Sequence, residues 1–515
     1  MFSKVYGAAV YGIEASLVTA EADISDGLPG YVLVGYLSSE VREAKERVRI
    51  SIKNAGYRLP FKKITVNLSP ADKRKEGNGF DLPIAVAILA AFGYVASEDT
   101  KDIVFAGELS LNGAVNAIPG ILPVILAAKQ AGKKKCMVPY DNMTEGDLIP
   151  EVQVIGVRSL KEAIEYLNGR NPMLGREKTA FHSHRIPACD KDFSEVLGQK
   201  TVKRAAEIAV AGGHNLLIIG PPGSGKSMIA SRIPGIMPGL SYEEQLEIAR
   251  VYSVAGMLAK EGGLPKKRPF RSPHHTVTPT ALIGGGKYPV PGEISLATGG
   301  ILFLDELAEF DRKTLETLRQ PLEEQEIHIM RLQGAYTYPA RFMLVAAMNP
   351  CPCGYYPDRN RCRCSSNKIK QYLSRVSNPL LERIDLCVEA SPMAYEQLEV
   401  KEAGESSAFI QKRVEKARKR QQRRYQKENL TCNAMLSAGQ IEKYCILGTE
   451  CKEYLRDIFD RYSLSARSYH KIIKVARTIA DMGERERIGL EDVQEALCFR
   501  MAEGKYWNGK VGEIP

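Results

Sequence analysis

The sequence predicts an α/β protein built on a parallel sheet, with another α/β unit before it and an all-helical region after it. Three observations carry that prediction. Between residue 193 and about 390, short apolar runs (NLLIIG, GILFLDE, RFMLVAAMN, RIDLCVEA) alternate with helical patterns. Strands apolar on both faces belong to a sheet covered by helices on both sides. Residues 1–168 mix strand-like stretches such as KKITVNLSPAD with helix-like ones such as SSEVREAKERVRISIKNAG and DLPIAVAILAAFG. From about 395 onward only helical patterns remain, among them SSAFIQKRVEKARKRQQRRYQ and SARSYHKIIKVARTIADM.

These shifts divide the chain into an α/β domain at 1–170, an aperiodic linker at 171–192, a sheet core at 193–394 and a helical domain at 395–515. A length of 515 residues is enough for several units that each bury a core. With 44% hydrophobic and 26% charged residues, the chain is neither disordered nor fibrous. A net charge of +10 permits a polyanionic partner without requiring one. Eleven scattered cysteines, an odd number, argue against a disulfide scaffold and for a reducing compartment. The start, MFSKVYGAAVYGIEAS, lacks the apolar core of a signal peptide. The longest apolar run, LPIAVAILAAF at 82–92, is about half of what a membrane span needs. The expectation is a cytoplasmic protein without a membrane partner.

The chemistry begins at NLLIIGPPGSGKS, a strand, a glycine-rich loop and a helix start in succession. Gly220, Pro221, Pro222, Gly223, Ser224 and Gly225 form a loop whose backbone N–H groups turn inward around phosphate oxygens. Lys226 reaches the outer phosphates of ATP, and the Ser227 hydroxyl ligates Mg²⁺. The strand of GILFLDEL ends in Asp305, placed for the Mg²⁺ shell, and Glu306, placed to polarise the attacking water. The strand of RFMLVAAMN ends in Asn349, suited to orienting that water. LLERIDL sets Arg383 beside a further strand, as a charge-stabilising arginine offered to a neighbouring subunit or as a surface ion pair.

Together GPPGSGKS, LFLDE, the Asn349 strand end and LLERID resemble an AAA+ ATPase. DFSEVLGQ, RPFRSPHHT, GEISLATGGILFLDEL and SARSYHKIIKVARTIADM narrow the resemblance to magnesium-chelatase-like AAA+ proteins of the YifB/ComM type, over nearly the whole chain. The resemblance implies an arginine finger at Arg383, with Arg375 as its rival, and a sensor-2 arginine at Arg467. Lys226 and Asp305 lie 79 positions apart, a spacing that fits the helix-2 insertion of the clade that includes MCM helicases. EIHIMRLQGAYTYPARFMLV reads as two strands around a turn at Gln333–Gly334. It resembles a pore hairpin with Arg331 near its tip; the alternative is an ordinary surface hairpin. The resemblance implies a homo-oligomer, a hexamer, that moves DNA and is tied to branch migration. Two rivals remain: a MoxR-like protein remodeller and a chelatase motor subunit.

KRKEGNGFDLPIAVAILAA and GELSLNGAVNAIPGILPVILAAKQAG resemble the Lon-type proteolytic domain, whose Ser nucleophile needs a Lys base. Here Gly79 stands at the Ser position, and Leu122 and Val124 lie where the Lys belongs, so no peptidase activity is expected. After Asn349, NPCPCGYYPDRNRCRCSS brings Cys351, Cys353, Cys362 and Cys364 within fourteen residues. They make either a structural Zn²⁺ site or a loop of reduced thiols. The run 412–427 holds nine Lys/Arg and one Glu, either a nucleic-acid contact or a solvated face.

Overall fold

The computed structural model describes residues 1–170, 191–258, 263–287, 289–331, 334–392, 404–428, 430–462 and 464–507. The expected linker lies outside the described residues apart from its last two positions, and so does the expected boundary near 395.

Two sheets organise the chain. The first has seven strands: β1 (Phe2–Tyr11), β2 (Glu14–Ser25), β3 (Gly30–Val34), β4 (Lys63–Ser69), β5 (Ile103–Phe105), β6 (Lys135–Pro139) and β7 (Gln153–Val157). Their order is β3-β4-β2-β1-β5-β6-β7. The β1–β2 and β2–β4 pairs are antiparallel, and from β1 through β5 and β6 to β7 the pairing is parallel. Helices Ser39–Asn54 and Asp81–Ala91 cover one face, and Ile121–Gln130 covers the other. Asp81–Ala91 is buried at every position. The apolar run at 82–92 is therefore a core helix, hydrophobic all round because protein surrounds it. No helix among the described residues is long and apolar enough to cross a membrane.

The second sheet holds β8 (Leu216–Ile219), β9 (Phe270–Arg271), β10 (Ile301–Leu304), β13 (Met343–Met348) and β14 (Leu386–Glu389), all parallel, in the order β9-β10-β13-β8-β14. Numbered along the chain, the order is 5-1-4-3-2. Alternate residues feed two cores. Leu216, Ile218, Ile301, Phe303 and Val345 face the helical side, where Lys200–Gly212 is backed by Ser407–Arg424 and Ala466–Met482. Leu217, Ile219, Leu302, Leu304 and Leu344 face the other side. That side also receives the hairpin β11 (Glu326–Arg331) and β12 (Gly334–Pro339). Helices at both faces let β8, β10 and β13 be apolar throughout, as the runs predict.

Helix Tyr242–Val254, inserted between β8 and β9, packs against Ile121–Gln130 of the first unit. A capping box at Ser241 and Glu244 starts this helix. Near its end, Ser253 Oγ donates to the buried Glu145 carboxylate and accepts from the Leu122 N–H at 3.1 Å. Burial raises the Glu145 pKa, with hydrogen bonds from Ser253, Asn142 and Leu122 opposing it. The hairpin also reaches the first unit, where Tyr336 Oη donates to Glu76 Oε2 at 3.1 Å.

Around the Lon-like motif, Gly79 brings no hydroxyl, and a Cβ there would lie 2.9 Å from Ile118 Cδ1. Leu122 and Val124 are buried among apolar side chains. Asp81 of the same motif accepts two hydrogen bonds from Arg47, at 2.9 and 3.0 Å, and one from the Leu109 N–H. This carboxylate ties two elements together, and a buried charge needs such partners.

Candidate nucleotide site

Parallel strands bring all their carboxyl ends to one edge, and ligands bind there beside a reversal of strand order. β8 sits between β13 and β14, so the loop leaving it opens at that edge. Gly220 continues the pairing, with its N–H donating to Met348 O at 3.1 Å. A Cβ at Gly220 would meet Ala390 O at 2.6 Å, so only glycine fits between the neighbouring strands. Gly223 and Gly225 take φ of 76° and 80°, the left-handed turns that aim successive N–H groups inward.

Lys226 starts the following helix and folds back over the loop. Its Nζ donates to Gly220 O at 2.8 Å, Pro221 O at 2.9 Å and Asn349 Oδ1 at 3.2 Å. Burial lowers its pKa, and Asp305 and Glu306 pull it back up. One residue on, Ser227 Oγ donates to Asp305 Oδ2 at 2.6 Å. A hydroxyl and a carboxylate this close are the hard oxygen donors that Mg²⁺ takes. Asp305 Oδ1 accepts from the Glu306 N–H at 3.0 Å, and Glu306 adopts φ of 52°. For a non-glycine residue that conformation costs of order 1–3 kcal/mol, and it swings the carboxylate out of the strand line. The sequence-predicted residues Gly220 to Ser227, Asp305, Glu306 and Asn349 thus converge at one edge.

Three further residues, from segments the sequence singles out but without a role assigned to them, join the site. His275 Nδ1 lies 3.8 Å from Glu306 Oε2, on the loop after β9. Gln199 Nε2 bridges Ser224 O at 3.1 Å and Ser391 O at 2.6 Å. Gly354 of the cysteine loop lies against the phosphate loop, for a Cβ there would be 2.4 Å from Pro222 Cδ. What the sequence does not show is the contacts themselves, since each joins segments far apart in the chain.

The arginines lie elsewhere. Arg383 precedes β14, and its carbonyl accepts from Asn215 Nδ2 at 2.9 Å, just before β8. That is the amino edge of the sheet, opposite the phosphate loop and about 13 Å away for a four-residue strand. Arg383 donates to Arg319 O and Pro379 O and pairs with Glu323 at 2.6 Å. Arg467 pairs with the same Glu323 at 3.4 Å and with Glu382 at 3.1 Å. Neither touches its own Lys226 cluster. Arg375, the rival, pairs with Glu309 at 2.8 Å just past the Glu306 turn.

The four cysteine sulfurs gather within 4.8 Å of one another. Cys351 is 3.3 Å from Cys353 and 3.7 Å from Cys362, and Cys353 is 3.6 Å from Cys362. Sulfurs on a tetrahedral Zn²⁺ at about 2.3 Å would be about 3.8 Å apart, so this donor set fits that ion with little movement. In the hairpin, Arg331 pairs with Gly334, so Gly334 already belongs to β12 rather than to the turn; residues 332–333 lie outside the described residues. Within 412–427, Arg413 pairs with Glu207 and Glu405 and Arg424 with Asp481, while Lys412, Lys419 and Arg423 are exposed.

A phosphate loop, an acidic strand end and a polar strand end at one edge of a 5-1-4-3-2 parallel sheet define an AAA+ ATPase. Comparison with known proteins agrees. The family profile described as magnesium chelatase, subunit ChlI, matches residues 192–398; a second ChlI profile matches 20–142, and the ChlI C-terminal profile matches 404–500. A YifB protein of Salmonella typhimurium is 44% identical over 501 residues, 96% of either chain. The competence protein ComM of Haemophilus influenzae is 42% identical, over 96% of this chain and 97% of its own. Lon protease 2 of Bacillus subtilis is 28% identical over 35% of this chain and 34% of its own. The chain belongs to the magnesium-chelatase-like AAA+ family that contains YifB and ComM.

Proposed function

We propose that this protein is a ring-forming ATPase that moves DNA, a branch-migration or translocation helicase linked to recombination or transformation. The observation that carries the ATPase is the convergence of Lys226, Ser227, Asp305, Glu306 and Asn349 at one sheet edge. Lys226, which now donates to loop carbonyls, would turn to the β- and γ-phosphates. Ser227 and Asp305 would hold Mg²⁺, which neutralises phosphate charge when bound. Glu306 accepts the proton of the attacking water, and Asn349 orients that water. Arg383, on the opposite edge, stabilises the charge developing on a neighbour's nucleotide, and Arg467 beside it assists. This division makes a homo-oligomer necessary, and the reading takes it as a hexamer.

Support for DNA comes from Arg331 at the hairpin end, the exposed cations of 412–427, and the likeness to a protein named for competence. The cysteine loop is read as a structural Zn²⁺ site, and the protein as cytoplasmic. Domain limits are read at 170, 192 and 394. The deciding measurement is ATPase rate with and without single-stranded, duplex and branched DNA. Stimulation by DNA supports the motor. A rate indifferent to all three removes DNA from the reading and favours a protein-remodelling ATPase.

A further inference from the structure

Between helix Ser366–Leu373, the segment 374–379 and the last turn of helix Leu490–Trp507 lies a cavity of about 660 Å³. That volume is in the range of small-ligand sites. Its lining is one-sided in charge: Arg312, Arg359, Lys370 and Lys505 reach it, and among the described residues no Asp or Glu does. Lys505 is balanced from outside the lining by Glu389 at 2.8 Å. Arg312 and Lys370 are exposed, and neither has an ion-pair partner among the described residues. Glu316, just outside the lining, feels the charge of Arg312 and a hydrogen bond from Ser377, so Lys370 is the lining cation left for an anion, with Arg312 and Arg359 beside it.

Rings form the rest of the wall. Tyr356 and Tyr506 meet edge to face at 6.1 Å, and Tyr506 and Trp507 at 6.3 Å. Trp507 Nε1 donates to Leu373 O at 3.1 Å, which fixes the indole against the helix end. Arg359 lies 5.1 Å over the Tyr356 ring. A phosphate alone has no use for fixed, half-buried aromatic faces. A flat base does, and stacking on such rings is how bases are held without reading their sequence.

We propose that this cavity binds a nucleoside phosphate, with the base against Tyr506 and Trp507 and the phosphate on Arg312 and Lys370. The shared chemistry has two sources, a free nucleotide or one unit of a single strand. The site is separate from the Lys226 loop and stands whether or not the motor acts on DNA. Its wall also matters for the motor. Segment 374–379 contains Arg375, which pairs with Glu309, and leads on to Arg383, so an occupant touches the stretch that joins the two edges of the sheet.

Trp507 is the only tryptophan in the chain, so its emission reports this cavity directly. Full-length Lys226→Ala protein, in which the phosphate loop is disabled, is titrated separately with ADP, a fifteen-residue oligo-dT and tripolyphosphate. The expected result is a saturable change in Trp507 emission with ADP or with the oligonucleotide, at least tenfold tighter than with tripolyphosphate. A response to ADP alone identifies a free nucleotide, and a response to oligo-dT identifies a strand. Lys370→Glu should weaken binding about tenfold and Tyr506→Ala about fivefold or more. Lys370→Glu in otherwise unaltered protein should keep the basal ATPase rate; should it melt early, Lys370→Gln takes its place. The proposal is overturned if emission responds to neither ligand, if tripolyphosphate binds equally well, or if the Lys370 variant binds like the parent.

Discussion

The two edges of the parallel sheet hold opposite halves of one chemistry. At the carboxyl edge, Lys226 is bonded to Asn349 and Ser227 to Asp305. At the amino edge, Arg383 and Arg467 share Glu323 and face no nucleotide of their own chain. The carboxyl edge carries the phosphate loop with Arg375 close by, paired with Glu309, while Arg383 and Arg467 lie at the edge away from the loop. The contrast supports the proposed reading in which one chain is two half-sites, the amino edge of one copy meeting the carboxyl edge of the next.

The largest effect should come from breaking that exchange. Arg383→Ala should retain ATP binding and lower turnover about 10³-fold or more, the range measured for arginines offered in trans. Mixed with Lys226→Ala subunits, it should recover activity, because the Lys226→Ala copy supplies the arginine and the Arg383→Ala copy supplies the loop. If verified mixed rings stay inactive at every ratio, the edges do not cooperate between subunits and Arg375 becomes the candidate.

Glu306→Gln tests the carboxyl edge alone. Removing the water-polarising carboxylate should cost about 10²–10⁴ in turnover while ATP still binds. Lys226→Ala should lose the binding itself. Parent-like hydrolysis by Glu306→Gln would show that the proton acceptor lies elsewhere on this edge.

A smaller effect is expected from the cysteine loop, which braces the same edge through Gly354 against Pro222. Purified protein should carry one Zn²⁺ per chain, and Cys353→Ser should lose it. The melting temperature of the ATPase region should then fall by several degrees and KM for ATP should rise, with kcat changed less. Absence of metal from protein purified under reducing conditions would leave the loop to its thiols.

What the sequence made legible follows the range of the interactions. The phosphate loop, Asp305, Glu306 and Asn349 each belong to a short apolar strand ending in a polar residue. Position at a strand end fixes them at the carboxyl edge before any tertiary contact is known. Arg383 was legible as a residue, but not as a resident of the opposite edge, because that depends on Asn215 lying 168 positions away. Glu323 carried no motif, and His275 and Gln199 lay in RPFRSPHHT and DFSEVLGQ without a role, since a polar side chain looks the same in sequence whether or not a distant partner meets it. The hairpin was legible from its two apolar alternations, but Gly334, expected in the turn, pairs with Arg331 as part of the second strand. The N-terminal motif told what was missing at Gly79 and Leu122. It could not tell that helix Ile121–Gln130 would instead receive helix Tyr242–Val254.

The smallest effect separates the amino edge as a store of arginines from the amino edge as mere surface. Glu323 holds Arg383 at 2.6 Å and Arg467 at 3.4 Å, and its side chain is half exposed. Water competes for both partners in the Arg467 pair, worth about 0.2–1 kcal/mol, but only for Glu323 in the Arg383 pair, since Arg383 is 10% exposed. Before either arginine can reach a neighbour's phosphate, its pair with Glu323 must open. Glu323→Gln removes that cost without adding a charge, so the fold should lose less than about 1 kcal/mol and the melting temperature should barely move. At protein concentrations too low to saturate the ring, ATPase activity should rise up to about fivefold, the equivalent of about 1 kcal/mol. At saturation kcat should match the parent, because the engaged state never contained the Glu323 pairs. A fall in kcat at saturating protein, with the melting temperature unchanged, would mean that Glu323 positions the arginines for catalysis and does not restrain them. That outcome would keep the two edges complementary but reverse the part this carboxylate plays between them.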